Sequence, residues 1–304
     1  MSETDPRRGV SFSVAGALCS AIYLFPYKWA AELAAPDVLA FALLCAAAFF
    51  NTLWAAWERR TPAPAPHSRS LSWRTAALLA ILTISGNFCG AQAISKLDPA
   101  VTSVLLRTEV VFVGGLAALV LGERLSPALV GGAGLALAGL GLMRWPLTRD
   151  GSGEGTAWAL GAAASFGAMQ VVTRRVIHRI SPAKVNAARL WIACGVLLLV
   201  PGLLRSAIAA GSQFWLRASL AALFGPCLGR LFIMYSLRGL RAAHSALLLL
   251  LAPLFAFAIG YVFWGSRPTH KEVLGAALML IGIGLPSLSG LLASAGLRER
   301  RGPF

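Results

Sequence analysis

Charge is scarce in this chain. Asp, Glu, Lys and Arg make up 13% of its 304 residues, and only 12 of them are acidic. A soluble domain carries about 25% charged residues, so with 57% hydrophobic residues there is no solvated surface for a soluble fold. Histidine is rare: His67, His178, His244 and His270 are scattered and form no metal-like cluster. Five cysteines (Cys19, Cys45, Cys89, Cys194 and Cys227) all lie in apolar segments, where they read as small core residues rather than disulfides or thiolate ligands. Neither a metal nor a cofactor is expected. A Gly-rich loop ending in Gly-Lys-Ser/Thr is missing, which disfavours a nucleotide-driven pump. No Asp/His dyad, zinc spacing or long loop supports a membrane enzyme, and no polar ring suggests a channel filter.

Long apolar runs are what the chain has in place of charge. A helical crossing needs about 20 residues, and ten runs meet that length: 11–30, 37–57, 74–95, 99–121, 126–144, 156–174, 185–204, 214–237, 242–264 and 272–292. Lipid requires every backbone polar group to be satisfied internally, so these runs are expected to be helices. Arg7-Arg8 precedes the first run without a cleavage site after it, so an uncleaved first span is expected. The nine tryptophans fall near predicted span ends, as interfacial belts require. The net charge of +15 resides mostly in Lys and Arg between the spans, where anionic lipid and insertion topology account for it. No basic face for nucleic acid is available. With both termini in the cytoplasm, inner segments outnumber outer ones in Lys and Arg by about two to one. Thr61–Pro66, with alternating prolines, reads as a short stiff spacer.

Laying residue n on n+143 reveals a second copy. Val120-Leu121-Gly122-Glu123-Arg124 falls on Phe263-Trp264-Gly265-Ser266-Arg267, and Gly132, Gly139 and Gly141 fall on Gly275, Gly282 and Gly284. Upstream, Gly86 meets Gly229 and Asn87 meets Arg230. Five spans per half is an odd number, so the halves enter the membrane in opposite senses. The expected fold is an all-α polytopic membrane protein, ten transmembrane helices as two inverted five-helix repeats. Its parts are a cytoplasmic tail (1–10), a first repeat (11–145), a connecting outer loop (146–155), a second repeat (156–292) and a second cytoplasmic tail (293–304). Small residues at 131–141 and 275–284 suggest a ridge for close helix approach.

Ionisable residues at membrane depth are costly and mark functional sites by default. Arg107, Glu109 and Arg230 lie deepest. Arg107 and Glu109 are two residues apart, so they face different sides of a helix. Glu109 therefore needs an interhelical partner, and Arg230 is the expected one. One excess positive charge remains, which points to an anionic or zwitterionic solute, and Glu109 is a candidate proton-coupling group. Arg189, early in the seventh run, is expected to snorkel to the interface. Asn87, Gln92, Tyr23 and Gln170 complete the candidate solute-contacting set, while Pro26 and Pro253 are expected to bend their spans and free carbonyls.

These residues resemble the drug/metabolite transporter superfamily, specifically its EamA-type transporters. In that family the fourth span of each repeat carries Glu-Pro, an apolar run and Gly-Glu-Arg, followed by a Gly-rich fifth span. The first half here reads Glu109-Val110, Gly122-Glu123-Arg124 and Gly131–Gly141. The second reads Ala252-Pro253 and Gly265-Ser266-Arg267. The first copy keeps the acid and loses the proline; the second does the reverse. The resemblance, over residues 11–292, implies a secondary transporter of the inner membrane, often an exporter, with a central cavity between the halves. It implies no enzymatic activity and leaves the solute open: a small polar or amphipathic metabolite such as an amino acid or drug-like compound. A membrane enzyme, or an accessory protein without transport, is the alternative.

Overall fold

A computed structural model describes residues 6–58, 73–96, 105–143, 153–178, 180–264 and 269–299. The Thr61–Pro66 spacer, the connecting loop up to residue 152 and the Gly265-Ser266-Arg267 turn lie outside them. The described fold is all-α and multi-span. Its helices are α1 (Pro6–Ala31), α2 (Pro36–Glu58), α3 (Trp73–Lys96), α4 (Glu109–Leu121), α5 (Pro127–Met143), α6 (Gly153–Val176) and α7 (Pro182–Leu197). They continue with α8 (Leu203–Ala209), α9 (Gly211–Ala222), a π-helical segment (Leu223–Gly229), α10 (Arg230–Gly239), α11 (Ala242–Leu248), α12 (Leu251–Trp264) and α13 (His270–Glu299).

Local chemistry sets the boundaries. Proline opens α2, α5 and α7, positions where its missing N–H costs nothing. The Ser126 hydroxyl caps α5 by accepting from the Leu129 N–H at 3.2 Å. Gly122 closes α4 at φ 66°, and the Glu123 N–H returns to the Ala117 carbonyl, the left-handed stop that glycine adopts without strain. The seventh predicted span is cut short: α7 ends at Leu197, and α8 follows Gly202 at φ 79°. The final helix runs to Glu299, past the expected start of a tail at 293.

Among the described residues, three helical stretches, Arg7–Ala31, Pro36–Glu58 and Gly211–Gly239, are long and apolar enough to cross a membrane by length and composition. Shorter apolar helices include Glu109–Leu121 and Ala242–Ala256. Those two follow or contain breaks in the chain's helical path. Before α4, Arg107 and Thr108 form a turn, with the Thr108 N–H on the Leu105 carbonyl. Between α11 and α12, Pro253 has no N–H for the Leu249 carbonyl, which takes the Ala252 N–H instead at 3.1 Å. Arg107 and Leu250 are 143 residues apart, so the two breaks fall at matching places in the sequence repeat.

The principal helix pairings join the two halves of the chain rather than consecutive helices. They are α5 with α13, α3 with α6, α2 with α7, and α1 with α9–α10. Side-chain meetings give the directions. Thr83, Ser85 and Gly90 of α3 meet Met169, Ser165 and Ala162 of α6, so these helices are antiparallel. Ser13 of α1 meets Ser236 of α10, and Asn51 of α2 meets Asn186 of α7. In α5 and α13, a Cβ on Gly139 would lie 2.5 Å from the Gly275 carbonyl oxygen, and one on Gly282 would lie 2.5 Å from that of Gly132. The backbones touch there. Gly131, Gly134, Gly141 and Gly284 have open space instead, so the expected ridge narrows to four glycines at one crossing.

Candidate functional site

Arg107 and Glu109 sit at the break that opens α4. Thr108 is tied back by its hydroxyl, which donates to the Leu105 carbonyl at 2.6 Å. The turn places Glu109 as the first residue of α4, where the positive end of the helix dipole favours a carboxylate. Glu109 Oε1 accepts a 2.5 Å hydrogen bond from Gln170 Nε2 of α6. Gln170 is 2% exposed, and its own Oε1 is buried without a partner. Arg107 Nε is likewise buried without a hydrogen-bond partner.

Arg230 is the first residue of α10, directly after the π-helical segment that contains Pro226. A π segment inside a helix is a frequent marker of a functional site. The Arg230 guanidinium lies over the Phe166 ring, 5.6 Å from its centroid, a cation–π arrangement. It is within electrostatic reach of Glu109, Arg107 and Arg189. The expected direct Glu109–Arg230 ion pair does not form: Gln170 holds the Glu109 carboxylate, and Arg230 stacks on Phe166. Arg107, Glu109 and Arg230 lie deep among the helices, yet each keeps accessible surface, so this interior is not sealed.

Of the other sequence candidates, Asn87 is half-buried and donates to the Thr83 carbonyl of its own helix at 2.7 Å. It adjoins Gly86, against which Phe166 packs. Tyr23 packs at a tilt against Tyr27, with ring centroids 5.1 Å apart, and covers Gly225 of the π segment. Gln92 is half-buried farther along α3. The structure thus gathers Arg107, Glu109, Gln170 and Arg230 and sets Asn87 and Tyr23 beside their supporting helices.

Arg189 departs from its expected place. It does not snorkel; it is 2% exposed and among the largest fully buried side chains. Its Nε and NH2 donate to Asn186 Oδ1 at 2.8 and 2.5 Å, and its NH1 donates to the Thr83 hydroxyl at 2.6 Å and lies 3.1 Å from Met169 Sδ. Asn186 in turn donates to Asn51 Oδ1 at 2.8 Å and the Pro226 carbonyl at 3.0 Å. The network spans α2, α3, α6, α7 and the π segment and contains no carboxylate. Sequence position alone suggested an interfacial arginine, because Arg189 lies near the predicted start of its span. The overlooked signal was Asn186, three residues earlier on the same helical face, together with Asn51 in an otherwise apolar run.

A second polar region lies at the end of the bundle where α4 and α6 stop. Glu123 Oε1 accepts from the Ala242 N–H at 3.2 Å and lies 3.8 Å from Arg174 Nε. Arg241 donates to the Arg124 carbonyl, and Glu58 accepts from Ser181 and Tyr235. Glu123, Arg124, Arg174 and Arg241 line a cleft of ≈ 470 Å³ together with Leu121, Gly122 and His178. At the opposite end Lys96 pairs with Glu154 at 3.0 Å, and Arg217 donates to the Trp29 carbonyl. Hydrogen bonds from Lys96 and then Trp158 hold the exposed Glu154 carboxyl below the usual carboxylate range. Among the described residues no group of three or more His, Cys, Asp or Glu is placed to hold a metal. Cys45 and Cys194 are free thiols with their sulfurs 3.3 Å apart across α2 and α7.

An all-helical, multi-span fold with charged side chains gathered at broken helices is that of a polytopic membrane protein. The chain belongs to the EamA-like transporter family, whose pattern matches residues 7–145 and again 153–288. It is 26% identical over 226 residues to a WAT1-related chloroplastic protein of Arabidopsis thaliana, covering 70% of this chain and 54% of that protein. The chain therefore spans about half the length of this curated relative. A solved crystal structure aligns with a TM-score of 0.70 over 92% of this chain and 96% of its own, at 19% identity, a likeness of fold. Family members are transporters, so the membrane-enzyme alternative is set aside.

Proposed function

We propose that the protein is a secondary active transporter that exports a small polar or amphipathic metabolite, such as an amino acid or drug-like compound, by alternating access. The observation that carries this reading is the placement of Arg107 and Glu109 at the break before α4, facing Arg230 and Gln170 from the other half of the chain. Broken helices free backbone and side-chain polar groups at membrane depth, which is where secondary transporters bind solute.

Two inverted five-helix repeats, 11–145 and 156–292, would form the moving parts. The reciprocal contacts Gly139–Gly275 and Gly282–Gly132 support this, because exchanging the halves turns one contact into the other. They also run in opposite sequence directions, as inverted halves require. The helix pairings behave the same way: α3 with α6 corresponds to the α9–α10 span with α1, and α4 with α6 to the α11–α12 span with α1. Lys96–Glu154 and Arg217–Trp29 tie the two halves at one end, and Glu58 and Glu123 contact the second half at the other. The Lys and Arg bias makes that the cytoplasmic end of a cell-membrane protein, with both termini inside.

Glu109 is the coupling group in this reading, taking up and releasing a proton as the site changes sides. The test is flux in proteoliposomes across a panel of amino acids, organic acids, sugars and cationic drugs, with and without an imposed proton gradient. At least one solute should move in a gradient-dependent way, and Glu109→Gln should reduce that flux to the level of protein-free vesicles. An unchanged rate in Glu109→Gln would remove the coupling role, and no flux of any solute would remove the transporter reading.

A further inference from the structure

We propose that the solute is a small dianion, a dicarboxylate or a phosphate monoester, bound between Arg107 and Arg230, with Arg189 as a fixed counter-charge behind them. This rests on the transporter reading and names its substrate class.

The argument is one of charge balance. Phe166, Met169 and Gln170, within about one turn of α6, touch Arg230, Arg189 and Glu109 in that order, and Arg107 sits two residues before Glu109 at the same break. Among the described residues, every other acid lies in an end turn of a helix or in the turn beyond it. Arginine stays protonated in proteins, so the cluster does not discharge by losing protons as buried lysines do. It therefore holds two positive charges beyond Glu109, at a depth where uncompensated charge is expensive.

The three guanidinium groups play different parts. The donors of Arg189 are engaged by Asn186, Thr83 and Met169, and its side chain is 2% exposed. It contributes field rather than contact. Arg107 and Arg230 keep accessible surface, and no protein acceptor takes the Arg107 Nε proton. Guanidinium forks match carboxylate and phosphate oxygens with paired hydrogen bonds. Gln170 Oε1, buried and unpartnered beside Glu109, is an acceptor for a hydroxyl or a protonated oxygen on the same solute. A monoanion or a zwitterion would leave the cluster cationic; a dianion neutralises it.

The experiment measures equilibrium binding to the full-length chain in nanodiscs, using succinate, glycerol 3-phosphate, lactate and alanine as probes. Succinate or glycerol 3-phosphate should bind saturably and at least about tenfold tighter than lactate or alanine, and whichever of the two prevails identifies the anionic group. Arg107→Gln and Arg230→Gln should each weaken that binding about ten- to hundredfold, the range of one charged hydrogen-bonded contact. Arg230→Lys, which keeps the charge, should retain part of it. Glu109→Gln should tighten dianion binding, a change that a packing role for the acid would not produce. Thermal melts identify any variant that fails to fold. Lactate or alanine binding as tightly as the dianions overturns the proposal, as does dianion affinity unaltered in a folded Arg230→Gln protein, or no binding of any probe. Vesicle flux of a neutral or zwitterionic solute would leave the transporter reading standing while removing this one.

Discussion

Arg189 is held by side chains from α3, α6 and α7, and its partner Asn186 reaches α2 and the π segment as well. In the proposed site this buried cation with neutral partners supplies positive potential without touching solute. Polar bonds between membrane helices contribute modestly, averaging about 0.6 kcal/mol and reaching about 1.7. A double-mutant cycle of Asn51→Leu and Asn186→Leu, read by thermal unfolding in detergent, should give a coupling energy in that range. Additive effects would mean that the 2.8 Å bond between them contributes nothing. At this scale the sequence marked most of the deep residues, placed Arg189 at an interface instead, and did not define their partners. Arg107, Glu109, Gln170 and Arg230 stood out because lipid excludes such groups. Which of them touch depends on helix rotation, and apolar periodicity does not define rotation in helices that are apolar all round. The Glu109–Gln170 bond and the burial of Arg189 both follow from those rotations.

Among the helices, the crossing of α5 and α13 rests on backbone contact at glycines. A methyl group at Gly139 would meet the Gly275 carbonyl and Met279 N at 2.5 and 2.8 Å, and one at Gly282 would meet the Gly132 carbonyl and Ala136 N at 2.5 and 2.7 Å. Neither obstacle is a flexible side chain, so the helices must separate. Gly139→Ala and Gly282→Ala should each destabilise the protein by about 1–3 kcal/mol, the usual cost of overpacking. Gly141→Ala and Gly284→Ala, which meet nothing within 4 Å, should leave the midpoint unchanged. Equal melting of all four variants would contradict this assignment of the crossing. The sequence repeat marked both pairs of glycines alike; only the crossing point separates those in contact from those in open space. A second prediction concerns the ends of α3 and α6. The Glu154 carboxyl is held low by Lys96 and Trp158, so its interaction is present above the ordinary carboxylate range and is lost as pH falls through the depressed value. A fluorine label on Trp158 should report a titration below that range, and one at the ordinary carboxylate value would count against the pairing. The breaks at Arg107 and Leu250 were half-legible: Pro253 announced the second, whereas the first has no proline.

For the molecule as a whole, the two halves interleave rather than sit side by side. α1, α2, α3 and α5 each take their main partner from the second half, a topology that composition and span counting do not reveal. The fivefold count and the 143-residue offset did point to two related halves. Interleaving means that a tilt of one half alters both ends of the bundle together, which is the mechanical requirement of alternating access. Alternating access requires that opening at one end accompany closure at the other. Its most direct test is a pair of spin-label distances in a background without the native cysteines. One pair, at 124 and 175, spans the end where Glu123 contacts the second half; the other, at 33 and 216, spans the opposite end. On adding the solute that the vesicle panel identifies, the two distances should change in opposite directions. Two distances that stay fixed, or that change in the same direction, would contradict the account.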